Sequence, residues 1–298
     1  MTYADSHAPT RRPATTARRT TPKSHPRPVT NDAVDELAAA VRARTALLFV
    51  GAGVSMNLGI PSWAELTAHM AARLGYDPGE FRRLGDPQTL AEFYALEAGS
   101  LGPLRSWMDV EWHRDAEHKV RNSEVHRLIV ELGFPVVYTT NYDRYLELAH
   151  EAHGVPYTKV ANIGDLARVK PGVTEIVKLH GDFEDDGSIV LTESSHFDRL
   201  ALDGPFDLKL RTDLLGRAAL FVGYSVSDVS IRSLLYRHHR LWHGSAYEKA
   251  RPRAYVYLGD PNPVQARVLE SWGIVPLFAD EGDIGEGLRR LLERLAAG

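Results

Sequence analysis

The sequence predicts an α/β fold: a parallel sheet with helices on both faces and a helical subdomain inserted after the first strand. Three observations predict it. Short apolar runs of strand type alternate with helical patterns from about residue 134 to the C-terminus, as strands buried on both faces do. Between about Trp63 and Gly133 the pattern is helical instead and contains no clear strand. Four of the apolar runs end in small or polar residues, in "FVGAGVS", "VVYTTNYD", "VKLHGD" and "LFVGYSVSD".

Residues 1–30 are rich in Thr, Pro and Arg and lack hydrophobic periodicity. They predict a disordered basic tail, because they cannot bury enough surface to offset chain entropy. Val34, Leu37, Ala38 and Val41 then fall at i, i+3, i+4 and i+7, one apolar helix face. "ALLFV" is the first strand. Ser62 and Glu65 have capping-box spacing and start a helix that runs to about Leu74 and stops at Gly75. Helical residues 64–132 form the insertion. "PVVYTT" is the next strand, followed by a helix from about Tyr142 to Ala152. "TEIVKLHG" predicts a buried strand and "SIVLT" a shorter one. A helix around Phe206 to Arg217 precedes the strand "ALFVGYS", and another runs from near Asp228 to near Trp242. "RAYVYLG", a helix around Pro263 to Trp272, "IVPLF" and a final helix complete the chain.

The 298 residues are 25% charged and 44% hydrophobic, enough for one large domain with a sizeable core. A formal charge of -4 gives the whole chain no reason to seek nucleic acid or membrane, and only the basic tail leaves a nucleic-acid contact open. No apolar stretch is long enough to span a bilayer, and the N-terminus lacks the apolar core of a signal peptide, so a cytoplasmic protein is expected. There is no cysteine, which excludes disulfides, cysteine-ligated zinc and a cysteine nucleophile. His239 and His243 have metal-ligand spacing but no evident carboxylate partner, and no metal is expected.

In a parallel sheet the four strand ends share one rim, where ligands of such folds collect. No GK[ST] follows Gly51 or Gly53, so the loop is not a phosphate-binding Walker loop. The dinucleotide fingerprint GxGxxG fails at its third glycine, where Met56 stands. What remains is a Gly-Ala-Gly turn whose amides could face a phosphate, with Ser55 beside them. Each piece has a plainer reading. The glycines could be a tight turn, Asn141 and Asp143 could cap the next helix, and His180 could be a satisfied turn residue. Ser225 and Asp228 fit a helix start, and Trp63 fits a packing residue.

The ordered set "GAGVS", "GIPSW", "TTNYD", "KLHGD" and "VGYS" resembles the sirtuin NAD-binding core over roughly residues 44–280. The resemblance implies a Rossmann-like sheet and NAD as substrate. It places Gly51, Ala52, Gly53 and Ser55 along the pyrophosphate and ribose, and Ile60 and Pro61 near the nicotinamide end. Asn141 and Asp143 match the Asn and Asp of the sirtuin "QNID" pattern, His180 its catalytic histidine, and Gly223 and Ser225 the "GTS" loop on the adenosine side. Thr140 replaces the usual glutamine, and the four-cysteine zinc ribbon of the deacylases is missing, with the inserted helices in its place.

The whole is similar to bacterial sirtuin-like NADases of anti-phage systems. That resemblance implies a catalytic domain over residues 31–298 that hydrolyses NAD to nicotinamide and ADP-ribose. It also implies control by self-assembly or by a partner such as a DNA-translocating ATPase or a short Argonaute. An NAD-dependent deacylase or ADP-ribosyltransferase is one alternative, and a non-catalytic module binding NAD or ADP-ribose is another. In the hydrolase reading Asn141 orients water or a ribose hydroxyl, Asp143 accepts from the nicotinamide carboxamide, and His180 has a pKa suited to proton transfer near neutrality. The inserted aromatics Phe81, Phe93, Tyr94, Trp107 and Trp112 either cover the cleft or form the interface of an expected homo-oligomer.

Overall fold

A computed structural model of the chain describes residues 31–200, 204–224, 229–259, 262–279 and 283–298. The tail expected in residues 1–30, together with Ser225 and Asp228, lies outside the described residues. The helix face at Val34, Leu37, Ala38 and Val41 forms as α1 (Asn31–Arg42), with all four side chains buried. It delivers the chain to β1 (Ala46–Val50), which is buried along its whole length, and α2 (Ala52–Met56) follows at once.

Six helices then intervene before the next strand. They are α3 (Trp63–Leu74), α4 (Pro78–Phe81), α5 (Pro87–Ala98), α6 (Gly102–Trp112), α7 (Ala116–Arg121) and α8 (Glu124–Leu132). α3 begins and ends where its caps require: Ser62 and Glu65 make the reciprocal capping box, and Gly75 closes the helix at φ 80°. The remaining order is β2 (Val136–Thr139), α9 (Tyr145–Ala152), β3 (Tyr157–Val160), α10 (Ile163–Leu166), β4 (Thr174–Lys178), α11 (Glu193–Leu200), α12 (Pro205–Gly216) and β5 (Ala218–Val222). The chain ends with α13 (Val229–Trp242), β6 (Ala254–Leu258), α14 (Pro263–Ser271), β7 (Ile274–Phe278) and α15 (Ile284–Ala297).

The seven strands are parallel, in the order β3-β4-β2-β1-β5-β6-β7. Alternate side chains divide them between two cores. Leu48, Val50, Ile176 and Val222 face α1, α8 and α15, while Leu47, Phe49, Val177 and Phe221 face α12, α13 and α14. Phe49 stacks between Tyr138 and Phe221, at 5.0 and 4.1 Å between ring centroids. Register fixes the functional rim. Val50 pairs with Thr139 and with Val222, and Thr139 pairs with Lys178, so four strand ends stand in one row.

A third core joins the inserted helices to the body. Leu66, Met70, Phe81, Tyr94, Met108 and Trp112 pack with Tyr145 and Leu148 of α9 and with Phe183 and Leu191. Phe81, Tyr94 and Trp112 are therefore interior, and the subunit interface expected of them has no footing on those three residues.

Other boundaries also differ from expectation. "SIVLT" is not a strand. Asp186–Ser188 is a single 3-10 turn, and Ile189, Val190 and Leu191 are buried beyond it without joining the sheet. Its apolar run serves packing. β3, α10 and α11 were not anticipated, and α9 starts at Tyr145 rather than Tyr142. Among the described residues no helix is long and apolar enough to cross a membrane.

Candidate functional site

The β1 and β5 ends meet first through backbone. Gly51 N–H donates to Val222 O at 2.8 Å, and Gly53 N–H donates to Gly223 O at 2.9 Å. A Cβ on Gly51 would stand 2.5 Å from Gly223 O, and one on Gly223, whose φ is +70°, would stand 2.7 Å from Gly51 O. The glycines thus let two loops touch. This corrects the phosphate reading in part, because the Gly51 and Gly53 amides are already bonded within the protein. Tyr224 tightens the joint, its hydroxyl donating to Val50 O at 3.1 Å, and Thr140 Oγ1 donates to that hydroxyl at 3.4 Å.

The β2 end is tied to β1 and α2 by side chains. Thr139 Oγ1 donates to Val50 O at 2.7 Å and accepts from Asn141 N–H at 3.0 Å. Asn141 is 7% exposed, and one end of its amide donates to Ser55 Oγ at 3.1 Å. The other end, Oδ1, is buried without a hydrogen-bond partner among the described residues. Asn141 is therefore no helix cap. That task falls to Asp143, whose Oδ1 accepts from Tyr145 N–H at 3.0 Å.

Behind this loop Lys178 is fully buried. Its Nζ donates to the carbonyls of Tyr142 (3.0 Å) and Asp143 (2.7 Å) and to Glu147 Oε1 (3.1 Å), with Asp182 Oδ2 at 3.4 Å. Burial disfavours the Asp182 carboxylate. Lys178, the Glu184 N–H and Lys159 outweigh it and hold the carboxyl below its ordinary range.

His180 follows two residues after Lys178 and is 8% exposed. Burial, with smaller contributions from His196 and Arg199, pushes its pKa down to about 3. The ring is neutral at pH 7, which corrects the expectation of a histidine titrating near neutrality. Gly181 makes the turn beyond it possible, with φ at +83° and a missing Cβ that would lie 2.1 Å from Ser188 O.

These pieces floor a cavity of about 700 Å³. Ala52, Gly53, Ser55, Ile60, Pro61, Asn141, Asp143, His180 and Gly223 all line it. Gly51 is not among the lining residues and supports the wall from behind. Helices supply further walls: Trp112, one of the aromatics expected over the cleft or at an interface, at the end of α6, Trp63 at the start of α3, and, missed by sequence reasoning, Asp86 and Gln88 at the start of α5 and Glu193, His196 and Phe197 on α11. Trp63, expected as a packing residue, is 37% exposed at the cavity. Asp86, Gln88, Glu193, His196 and Phe197 are far from the strand ends in sequence and belong to no local motif. Asp86 is held below the ordinary carboxylate range chiefly by the Thr89 N–H.

Residues 135–277 match the family model described as a SIR2-like domain. The chain carries a SIR2-like domain. The matched segment includes Asn141, Asp143, His180 and Gly223, while Ala52, Gly53 and Ser55, which line the same cavity, precede it. The chain is 34% identical over 209 residues to NAD(+) hydrolase ThsA of Enterococcus faecium, covering 68% of this chain and 41% of that protein. It is 30% identical over 233 residues to NAD(+) hydrolase ThsA of Bacillus cereus, covering 78% and 46%. Defense-associated sirtuin 2 of Bacillus subtilis is 25% identical over 253 residues, covering 80% and 23%. The chain thus spans less than half the length of these three relatives.

Elsewhere, His239 and His243 stand 4.8 Å apart between ring centroids, and Glu248 Oε1 lies 3.4 Å from His243 Nδ1, a carboxylate the sequence reading did not pair with them. Among the described residues no group of three or more side chains is placed to hold a metal.

Proposed function

We propose that this cavity binds NAD and hydrolyses it to nicotinamide and ADP-ribose. One observation carries the reading: Asn141, with one end of its amide held by Ser55 and the other bare, shares a single cavity wall with a neutral His180 and with Asp143. The relatives named NAD(+) hydrolases support it.

The bond from ribose C1′ to the pyridinium nitrogen breaks with its electron pair going to nitrogen, so nicotinamide departs neutral and needs no acid. A His180 held neutral suits that chemistry, because it has no proton to give at pH 7 and can accept a hydrogen bond from a ribose hydroxyl. Asn141 orients the attacking water or a ribose hydroxyl with the free end of its amide. Asp143 accepts from the carboxamide N–H. The acidic wall of Asp86, Asp143 and Glu193 favours the positive charge that spreads over the sugar as the bond breaks. Water adds to C1′, and its proton leaves to solvent.

In this reading residues 31–298 form one catalytic domain and the insertion of residues 64–132 roofs it. The enzyme works in the cytoplasm, in anti-phage defence by NAD depletion. Homo-oligomer formation or a partner such as a DNA-translocating ATPase or a short Argonaute restrains it, because unchecked cleavage would be toxic. Incubating the purified protein with NAD, alone and with candidate partners, and separating the products tests the assignment. Nicotinamide and ADP-ribose are expected in equal amounts. NAD binding with no nicotinamide under any of these conditions would leave standing the acceptor-dependent deacylase or ADP-ribosyltransferase and the non-catalytic module.

A further inference from the structure

His113 follows the last residue of α6 and is not among the residues that line the cavity. Both nitrogens of its ring are engaged. Nδ1 lies 2.8 Å from Asp109 Oδ1 and 3.0 Å from Asp109 O, and Nε2 lies 3.0 Å from the backbone nitrogen of Arg144. A backbone N–H can only donate, so Nε2 accepts, and Nδ1 carries the proton that it donates to Asp109. One residue earlier, the Trp112 carbonyl accepts from the Tyr145 hydroxyl at 3.0 Å. The end of α6 thus grips the start of α9 at two neighbouring residues.

Arg144 directly follows the loop that carries Asn141 and Asp143. Thr139 takes the Asn141 N–H, Lys178 takes the carbonyls of Tyr142 and Asp143, and Asp143 itself takes the Tyr145 N–H. The Arg144 N–H is the donor left between them, and the insertion answers it with a side chain 31 residues earlier in the chain. An amide deprived of that acceptor in a partly buried place is costly, and the loop would move to regain a partner. Such a movement carries Asn141 and Asp143 with it.

We propose that His113 is a positioning residue for the reaction: by accepting the Arg144 N–H it fixes where Asn141 and Asp143 stand in the cavity. The inference rests on the NAD reading above. It makes the inserted helices part of the catalytic apparatus, through a residue outside the cavity wall.

Two polar variants of the full chain separate positioning from packing. His113→Gln puts an amide oxygen about where Nε2 stands, and His113→Asn is one methylene too short to reach Arg144. Nicotinamide release from NAD is measured for both under the condition that activates wild type, with thermal melts to confirm folding. His113→Gln should keep kcat within about threefold of wild type, the small end of one neutral hydrogen bond. His113→Asn should lose about ten- to hundredfold in kcat, the scale of a small misplacement at the reacting centre. The side-chain amide resonances of Asn141 should stay in place in His113→Gln and move in His113→Asn. Wild-type kcat in a folded His113→Asn overturns the proposal, and so does an equal loss in both variants, which would make the ring a packing group. A further measurement needs no variant. In nitrogen-labelled wild type at pH 7, the His113 ring should show a protonated Nδ1 and a bare Nε2 coupled to the Arg144 amide, and a protonated Nε2 overturns the proposal. Wild type that releases no nicotinamide overturns the hydrolase reading, and the Asn141 resonances then decide by themselves whether His113 places the loop.

Discussion

The two halves of the strand-end rim are held by opposite means. Where β1 meets β5, backbone touches backbone and a single methyl on Gly51 has no room. Where β2 meets β4, one long side chain reaches across, and Lys178 gathers two carbonyls and two carboxylates in the interior. The first joint is indifferent to charge and intolerant of volume. The second tolerates an isosteric change in volume but fails on loss of charge. A site floor can therefore be fixed by excluding side chains or by burying a charge, and the two methods break differently.

The largest expected effect comes from the charged joint. Lys178→Met keeps the length of the side chain and strands Glu147 and Asp182 without their cation. Loss of one partner from a buried ion cluster costs about 3–5 kcal/mol. Urea unfolding showing less than about 1 kcal/mol would place Lys178 with surface pairs and dissolve the contrast.

Next comes the residue this joint positions. Asn141→Asp should fold as wild type and lose about a hundredfold or more of NAD cleavage, the scale for one preorganised donor. Aspartate cannot donate to Ser55 Oγ, so it loses the bond that orients the side chain, and it adds charge beside Asp143. Near-normal nicotinamide release, with a normal thermal melt, would remove the rim from the chemistry.

The glycine joint should respond in a graded way. Gly51→Ala meets backbone at 2.5 Å and should cost about 1–3 kcal/mol. Gly53→Ala, whose nearest contact is 3.0 Å, should cost less. Thermal melts giving the reverse order would show that the loops move apart freely.

A last test uses pH. Burial holds His180 at about 3 and His126 and His238 at about 4, all below the ordinary 6.5. In the unfolded chain each takes up its proton near 6.5, so the unfolded state binds more protons between about 4 and 6.5. Stability is fully present above that window and falls as pH drops through it. Potentiometric or calorimetric linkage at pH 5 should find about three protons taken up on unfolding from these groups, and His180→Gln should remove about one. An uptake unchanged by His180→Gln would mean that the ring already titrates in the folded protein.

Legibility followed the same division. Gly51, Gly53 and Gly223 announce themselves, because only a close approach or a positive φ needs them at the end of an apolar strand. Asn141 and His180 stand out as polar residues at buried strand ends. Lys178 does not, since a lysine in a strand gives no sign that its amine meets Glu147 and the Tyr142 carbonyl from distant parts of the chain. Central strands are legible because burial on both faces makes them continuously apolar. The edge strand β3, "YTKV", is only half-buried and lacks that mark. Trp112 reads as an ordinary helix aromatic, and only packing puts it at the cavity.

The position of β1 has a consequence in time. Its Val50 pairs on one side with Thr139 and on the other with Val222, both far along the chain. Pairings at such separation form slowly. A growing chain on the ribosome therefore has no closed floor until Gly223 has emerged and reached Gly51. The order of synthesis thus keeps the cavity unfinished while the protein is being made.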